Sequence, residues 1–303
     1  MFSKFINAFF YGNIYLGICA VALCIETNLL SGISLNVFPF YFLIFLCTIV
    51  YYTMIYARSV RVKNFNERAG WYSKYLSQIK TALRVAIVLT VPSLIFLLAV
   101  NLHRILSLSL VQLLLISAFP IAAAWYTFTP KALKLIKIRQ IGWIKPFIVG
   151  LTWAGWVTIY PIIIWQVQKN ESFDAPFVPL LVLYIQNFLF FSINAIIFDI
   201  KDYRTDSYYQ LKTYPVIFGV KNTIRFIVLP LTLINLVAFF IFQRQQNFSH
   251  LQTSIQLIPY VLLVIIILRY REGRSVLYYL AAVDGLVFLK AFCGITSVLL
   301  IKK

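Results

Sequence analysis

Asp199, Asp202 and Asp206 fall within eight residues, in a chain that has only nine acidic residues against 27 Lys plus Arg. Carboxylates this close repel one another. Placed on a helix at i, i+3 and i+7, they share an arc of roughly 60°. Three chemistries suit that pattern. Lys201, Arg204 and Lys212 could neutralise the acids as a solvated, purely structural loop. A Mg²⁺ ion could be held, since magnesium takes one or two carboxylates and completes its shell with water and phosphate oxygens. The acids could also mark a proton or ion route through a membrane. Spacing alone leaves all three open.

The elements that must carry these residues are membrane spans. The chain is 61% hydrophobic and 12% charged, with a mean hydropathy of +0.86, outside the range of soluble globular domains. About twenty apolar residues cross a bilayer as a helix. The pattern predicts about nine such spans, near 8–30, 36–57, 82–101, 109–127, 145–165, 176–198, 223–243, 254–270 and 276–299. The expected fold is therefore an all-α integral membrane bundle, with residues 1–303 as a single polytopic domain. Lys4 ahead of an apolar run resembles the start of a signal sequence, but the run continues to Leu30 without a small-residue cleavage site, so it reads as the first span. Cys19, Cys24, Cys47 and Cys293 all sit in apolar runs without metal-site spacing, as packing thiols.

The net charge of +18 reports topology rather than nucleic-acid binding. With nine spans and the N-terminus inside, 21 basic residues fall on the cytoplasmic side and five outside, with Lys290 inside the last span. The sixth span then runs outside to inside and delivers Asp199, Asp202 and Asp206 to the cytoplasmic mouth. Asn187 and Asn194, seven residues apart, share one face of that span. The acids lie toward its C-terminal end, where the helix dipole disfavours negative charge.

The segment from Asp199 to Gly219, "DIKDYRTDSYYQLKTYPVIFG", resembles the second aspartate-rich motif of the UbiA superfamily of intramembrane prenyltransferases. That pattern reads D-x-x-D-x-x-x-D and then T-x-P-V-x-x-G, and Asp199, Asp202, Asp206, Thr213, Pro215, Val216 and Gly219 are in register with it. "RQIGWIKPFIVGLTWAGW" resembles the junction of the family's fourth and fifth spans. The resemblance implies a nine-span UbiA-like bundle and a membrane transferase. It would move a prenyl group from an isoprenyl diphosphate to a lipophilic acceptor, using Mg²⁺. On that reading Asp199, Asp202 and Asp206 hold the metal and the diphosphate and are the catalytic residues. Phe190, Phe191, Trp153, Trp156 and Tyr160 are candidates to face an allylic cation, beside their ordinary reading as packing aromatics.

One part of the family pattern is missing. Its first motif, N-D-x-x-D-x-x-x-D, should follow the second span, yet Tyr51 to Tyr75 contains no aspartate and a single carboxylate, Glu67. Aligning the ends of spans two and six sets Arg58 opposite Asp199 and Arg61 opposite Asp202. These arginines could grip diphosphate oxygens, pair with the aspartates, or anchor the chain at the headgroups. Arg58, Arg61, Lys63 and Lys212, with Asn187, Asn194 and Asp284, complete the expected substrate-binding set. Asp284 lies inside the last span, six residues from Lys290, which is a poor helical pairing distance. Glu26 and His103 are expected at the interface, and N-x-S sequons occur at Asn170 and Asn247. The missing motif also allows a second class of function, a catalytically degenerate protein of the same architecture that binds or transports an isoprenoid or quinone-type lipid.

Overall fold

The computed structural model describes residues 2–59, 67–128, 142–171, 177–269 and 274–300. The described residues are helical, without a strand among them. Seven helices or helical runs are long and apolar enough to cross a membrane: Phe38–Arg58, Leu76–Leu106, Gly142–Lys169, Phe177–Lys201, Val220–Gln245, His250–Leu268 and Val276–Leu300. An eighth candidate is bent by 52° between Lys4–Tyr11 and Ile14–Leu30, and Leu110–Trp125 is a shorter apolar helix. The protein is thus an all-α, multi-pass membrane protein, in line with about nine spans. The contacts divide it into two compact units.

The first unit comprises Met1–Leu108, Pro161–Phe173 and Ser275–Phe292. It holds α1 (Phe2–Tyr11), α2 (Ile14–Leu30), α3 (Phe38–Ser59), α4 (Glu67–Lys74) and α5 (Leu76–Leu106). The bend between α1 and α2 centres on Asn13, at φ 63°, a left-handed conformation that asparagine tolerates better than most residues. Buried Asn13 donates to Thr53 Oγ and to the Tyr72 hydroxyl, each at 3.1 Å. Arg68 also bonds Asn13 Oδ1, reaches the Tyr11 carbonyl at 3.1 Å and lies 3.6 Å over the Tyr56 ring. Tyr72 donates to the same carbonyl at 3.0 Å. One buried guanidinium and one amide therefore lock the bend to α3 and α4.

The second unit comprises Ser109–Tyr160, Asp174–Arg274 and Cys293–Lys303. It contains α6 (Leu110–Phe128) and α7 (Lys145–Ala154), which continues through a π-helical turn at Gly155–Ile159; α8 (Tyr160–Lys169) follows and belongs to the first unit from Pro161. α9 (Phe177–Lys201) is its central helix and packs against α7 and against α13 (Leu229–Gln245). Between α9 and α13 lie three short helices, α10 (Tyr203–Tyr208), α11 (Tyr214–Phe218) and α12 (Val220–Thr223), with a second π turn at Ile224–Val228. α14 (His250–Leu268) starts with a capping box in which Ser249 and Gln252 satisfy each other's backbone N–H groups. α15 (Val276–Leu300) closes the described chain and belongs to the first unit up to Phe292 and to the second from Cys293.

α9 sits at the centre because nearly every residue of its second half is apolar or amide-bearing, and Leu189 to Ile197 are all buried. Gly150 of α7 permits the close approach of α7 and α9: a Cβ there would come within 2.1 Å of Ser192 Oγ and 2.6 Å of the Phe188 carbonyl. Trp153 stacks on Phe191 with ring centroids 5.0 Å apart. Tyr260 of α14 contacts both Phe190 and Phe239, at 5.7 and 5.0 Å. The aromatics named as possible cation-facing groups therefore pack largely on one another.

Candidate functional site

The aspartate-rich segment lies where α9 ends. The expected unbroken helix is interrupted at one residue, Asp202, which takes φ −88° and ψ 8° and caps α10. The backbone ladder nevertheless runs through the break, with Asp202 N–H bonding the Phe198 carbonyl at 3.0 Å and Asp206 N–H bonding the Asp202 carbonyl at 2.9 Å. Asp206 is thereby the fourth residue of a six-residue helix that carries on the ladder of α9. The T-x-P-V-x-x-G continuation is turn chemistry. Thr213 is the N-cap of α11 with extended backbone, Pro215 occupies its first turn, and Gly219 ends it at φ +77°.

Each acid is placed differently. Asp199 is 0% exposed, and one of its oxygens, Oδ1, accepts from Lys145 Nζ. Asp202 is partly exposed and pairs with neighbouring Lys201 at 2.6 Å. Asp206 is 8% exposed, and burial pushes its carboxyl up to about 7. Lys145 pulls it part of the way back, while the negative charges of Asp199 and Asp202 push it up. Asp199 Oδ2 and Asp206 Oδ2 are buried and have no hydrogen-bond partner among the described residues. A buried carboxylate oxygen without a donor is costly, and at Asp206 the Thr213 hydroxyl offsets part of that cost.

Lys145 was not among the residues singled out from the sequence. It begins α7, and its own placement is fixed by backbone. A Cβ on Gly142, one helical turn before α7, would stand 2.7 Å from Lys212 C and Thr213 N. Only glycine lets the start of this span lie directly on the loop that follows α10. Pro146 then occupies the first turn of α7, where a residue lacking an N–H costs no hydrogen bond. One signal was available in "GWIKPF": a cation at a helix N-terminus opposes the macrodipole, so a lysine there requires a carboxylate nearby.

The remaining predicted residues are dispersed. Asn187 donates to Thr158 Oγ at 2.8 Å, and Thr158 belongs to the π turn of the preceding span. Asn194 is 5% exposed, and neither of its amide atoms has a partner among the described residues. Lys212 is exposed beside Thr213. Arg58 is exposed in the last turn of α3, in the first unit, whereas Arg61 and Lys63 lie outside the described residues. Asp284 also belongs to the first unit; it is buried in α15, and its carbonyl accepts from Cys19 Sγ at 3.9 Å.

The last span carries a buried ion pair. Glu26, expected at the interface, is 3% exposed and holds Lys290 Nζ with both oxygens, at 3.1 and 2.9 Å. No partner for Lys290 was expected along α15, and its partner comes from α2. Buried Arg68 was likewise not anticipated; it stands in the region where the first aspartate motif would be.

The donor set suits one hard cation. The two buried oxygens without partners are carboxylate oxygens, which match Mg²⁺ in type. Among the described residues, however, no three His, Cys, Asp or Glu side chains converge as a metal cluster. In donor type alone the residues suit an ion that takes few protein ligands and completes its shell with phosphate oxygens.

No family profile matches the sequence, and no curated protein sequence matches it. Solved structures do. A structure described for digeranylgeranylglyceryl phosphate synthase matches with a TM-score of 0.58 and 11% identity, covering 99% of this chain and 100% of that one. A UbiA homologue from Archaeoglobus fulgidus, bound to DMAPP and Mg²⁺, matches with a TM-score of 0.56 and 12% identity, covering 95% and 99%. At this identity the likeness concerns the fold, and the fold is that of UbiA.

Proposed function

Starting from the UbiA fold, we propose that this protein is a membrane prenyltransferase that moves a prenyl group from an isoprenyl diphosphate to a lipophilic acceptor. The observation that carries the reading is the pair of buried, unpartnered carboxylate oxygens on Asp199 and Asp206, in the register of the UbiA-like motif. Solved structures of the same fold supply a consistent background, since one of them is bound to DMAPP and Mg²⁺. The excess of basic residues on the loops of the same side supports a cytoplasmic mouth for the site.

On this reading Asp199, Asp202 and Asp206 orient the diphosphate at the end of α9. Mg²⁺, when bound, neutralises charge developing on the departing diphosphate. The allylic C–O bond breaks and its electron pair leaves with the diphosphate. The allylic cation is attacked by an electron pair of the acceptor, which then loses a proton. The apolar helices around the site exclude water that would otherwise quench the cation. Lys212 is the described basic candidate in the same unit for assisting phosphate binding, while Arg58, Arg61 and Lys63 are proposed from the sequence alone. Asn187 and Asn194, on the helix that ends in the aspartates, are assigned to substrate contact.

The test is release of pyrophosphate by the purified protein in detergent, offered prenyl diphosphates of several chain lengths with Mg²⁺. Metal-dependent release that is lost in Asp202→Asn is expected. Neither binding nor release, with Asp202→Asn indistinguishable from wild type, overturns the proposal. A second reading is favoured by one specific observation: Lys145 already fills one side of Asp199. In that case the protein binds or transports an isoprenoid or quinone-type lipid without turnover. Mg²⁺-dependent pyrophosphate release would exclude it.

A further inference from the structure

We infer that Lys145 is a built-in cation of the diphosphate site, holding at Asp199 the place of a metal ion; the inference rests on the prenyl-diphosphate reading above. Three observations converge on it. Asp199 is fully buried, yet the lysine that pairs with it is 34% exposed, so the ammonium links the closed end of the cluster to its open side. Its exposure lets a ligand reach the ammonium, whose hydrogen bonds to phosphate oxygens are charge-assisted. Lys145 also acts on Asp206 electrostatically, so one positive charge serves two of the three acids.

The position is constructed rather than incidental. Gly142 lies against the Lys212–Thr213 backbone, Pro146 fixes the first turn of α7, and α7 packs along α9. Together these hold a lysine at a helix N-terminus, where the dipole opposes it. With Lys145 and Lys201 paired to Asp199 and Asp202, two of the three carboxylates are already matched by a cation. A diphosphate approaching this end of α9 meets an ammonium and the N-terminus of α7, instead of three bare acids. The region that would hold a second set of aspartates contains none, consistent with a site that needs fewer metal ions.

The test is binding of geranyl S-thiolodiphosphate, a non-ionising analogue, to the full-length protein in detergent, with EDTA or with Mg²⁺. Displacement by inorganic pyrophosphate separates headgroup binding from partitioning of the tail into micelles. Wild type should bind in EDTA within about tenfold of its Mg²⁺-loaded affinity, as a charge-assisted phosphate contact allows. Lys145→Gln should weaken binding in EDTA by at least about tenfold, with recovery at saturating Mg²⁺, and Lys145→Arg should retain it. A second readout counts Mn²⁺ by electron paramagnetic resonance in the presence of the analogue. One ion per wild-type chain and a second ion in Lys145→Gln are expected, because the substitution frees Asp199. Binding by wild type only with metal, or equal binding by Lys145→Gln and wild type in EDTA, overturns the role of Lys145 and leaves the prenyl-diphosphate reading standing. Failure of wild type to bind the analogue under either condition overturns both.

Discussion

Two buried ion pairs, one in each unit, show how the same chemistry serves opposite ends. Glu26 and Lys290 are both almost fully buried, and both carboxylate oxygens are taken by the ammonium. Nothing in that pair is left to bind. The Asp199–Lys145 pair is asymmetric: the acid is buried, the base is partly exposed, and one acid oxygen has no donor. A closed pair holds helices together, whereas an open pair retains capacity for a ligand. The contrast explains why a search for intramembrane charge alone would rank Asp284, Glu26 and Lys290 beside the aspartate cluster, although their surroundings differ.

The contrast can be broken experimentally, and the largest effect is expected at the closed pair. Lys290→Met should destabilise the protein by about 3–5 kcal/mol, because it strands a buried carboxylate, and Glu26→Leu together with Lys290→Met should recover most of the loss. Thermal unfolding in detergent measures both, and an undisturbed Lys290→Met would refute the closed-pair reading. Gly142→Ala should come next, at about 1–3 kcal/mol, since the new Cβ meets backbone that cannot rotate away. It should also weaken diphosphate binding by displacing Lys145, which a binding isotherm on the folded fraction would detect.

Asp199→Asn should cost less stability, within about 1 kcal/mol, because the lysine it leaves is solvent-accessible. Its Mg²⁺-dependent pyrophosphate release should nonetheless fall about 10- to 100-fold, as expected for loss of a carboxylate that orients the groups holding the diphosphate. A large loss of stability without loss of release would make the open pair structural. The smallest effect is a pH slope. Asp206 titrates near 7 in the folded protein, above the ordinary carboxylate range near 4. Between those values the folded state holds a proton that the unfolded state has released, so this group makes stability fall as pH rises from about 4 to about 7. Metal-free Asp206→Asn should show a shallower decline of melting temperature over that window. An unchanged slope would mean that Asp206 is not desolvated as described.

Much of the fold was legible because a bilayer imposes a length and an apolar composition on each span. Among the described residues seven full-length candidates, or eight with the bent first pair, are roughly consistent with the nine expected, and Leu110–Trp125 is a shorter apolar helix. The bend at Asn13 was not legible, since it depends on Thr53, Arg68 and Tyr72 meeting one amide across long sequence separations. The partner of Lys290 was missed for the same reason: Glu26 is 264 residues away, and helical spacing speaks only of neighbours three or four residues apart.

The sequence by itself determined an all-α membrane protein, the clustering of its rare acids at one helix end, and the turn that follows them. Those properties are local: hydrophobic length, helical period, and the backbone preferences of Pro215 and Gly219. Only the tertiary structure decided which acid is buried, which oxygen is left without a donor, and that Lys145 of α7 stands at Asp199. Burial and pairing depend on helices brought together by packing, here through Gly142 and Gly150, where the absence of a side chain sets how closely two segments approach.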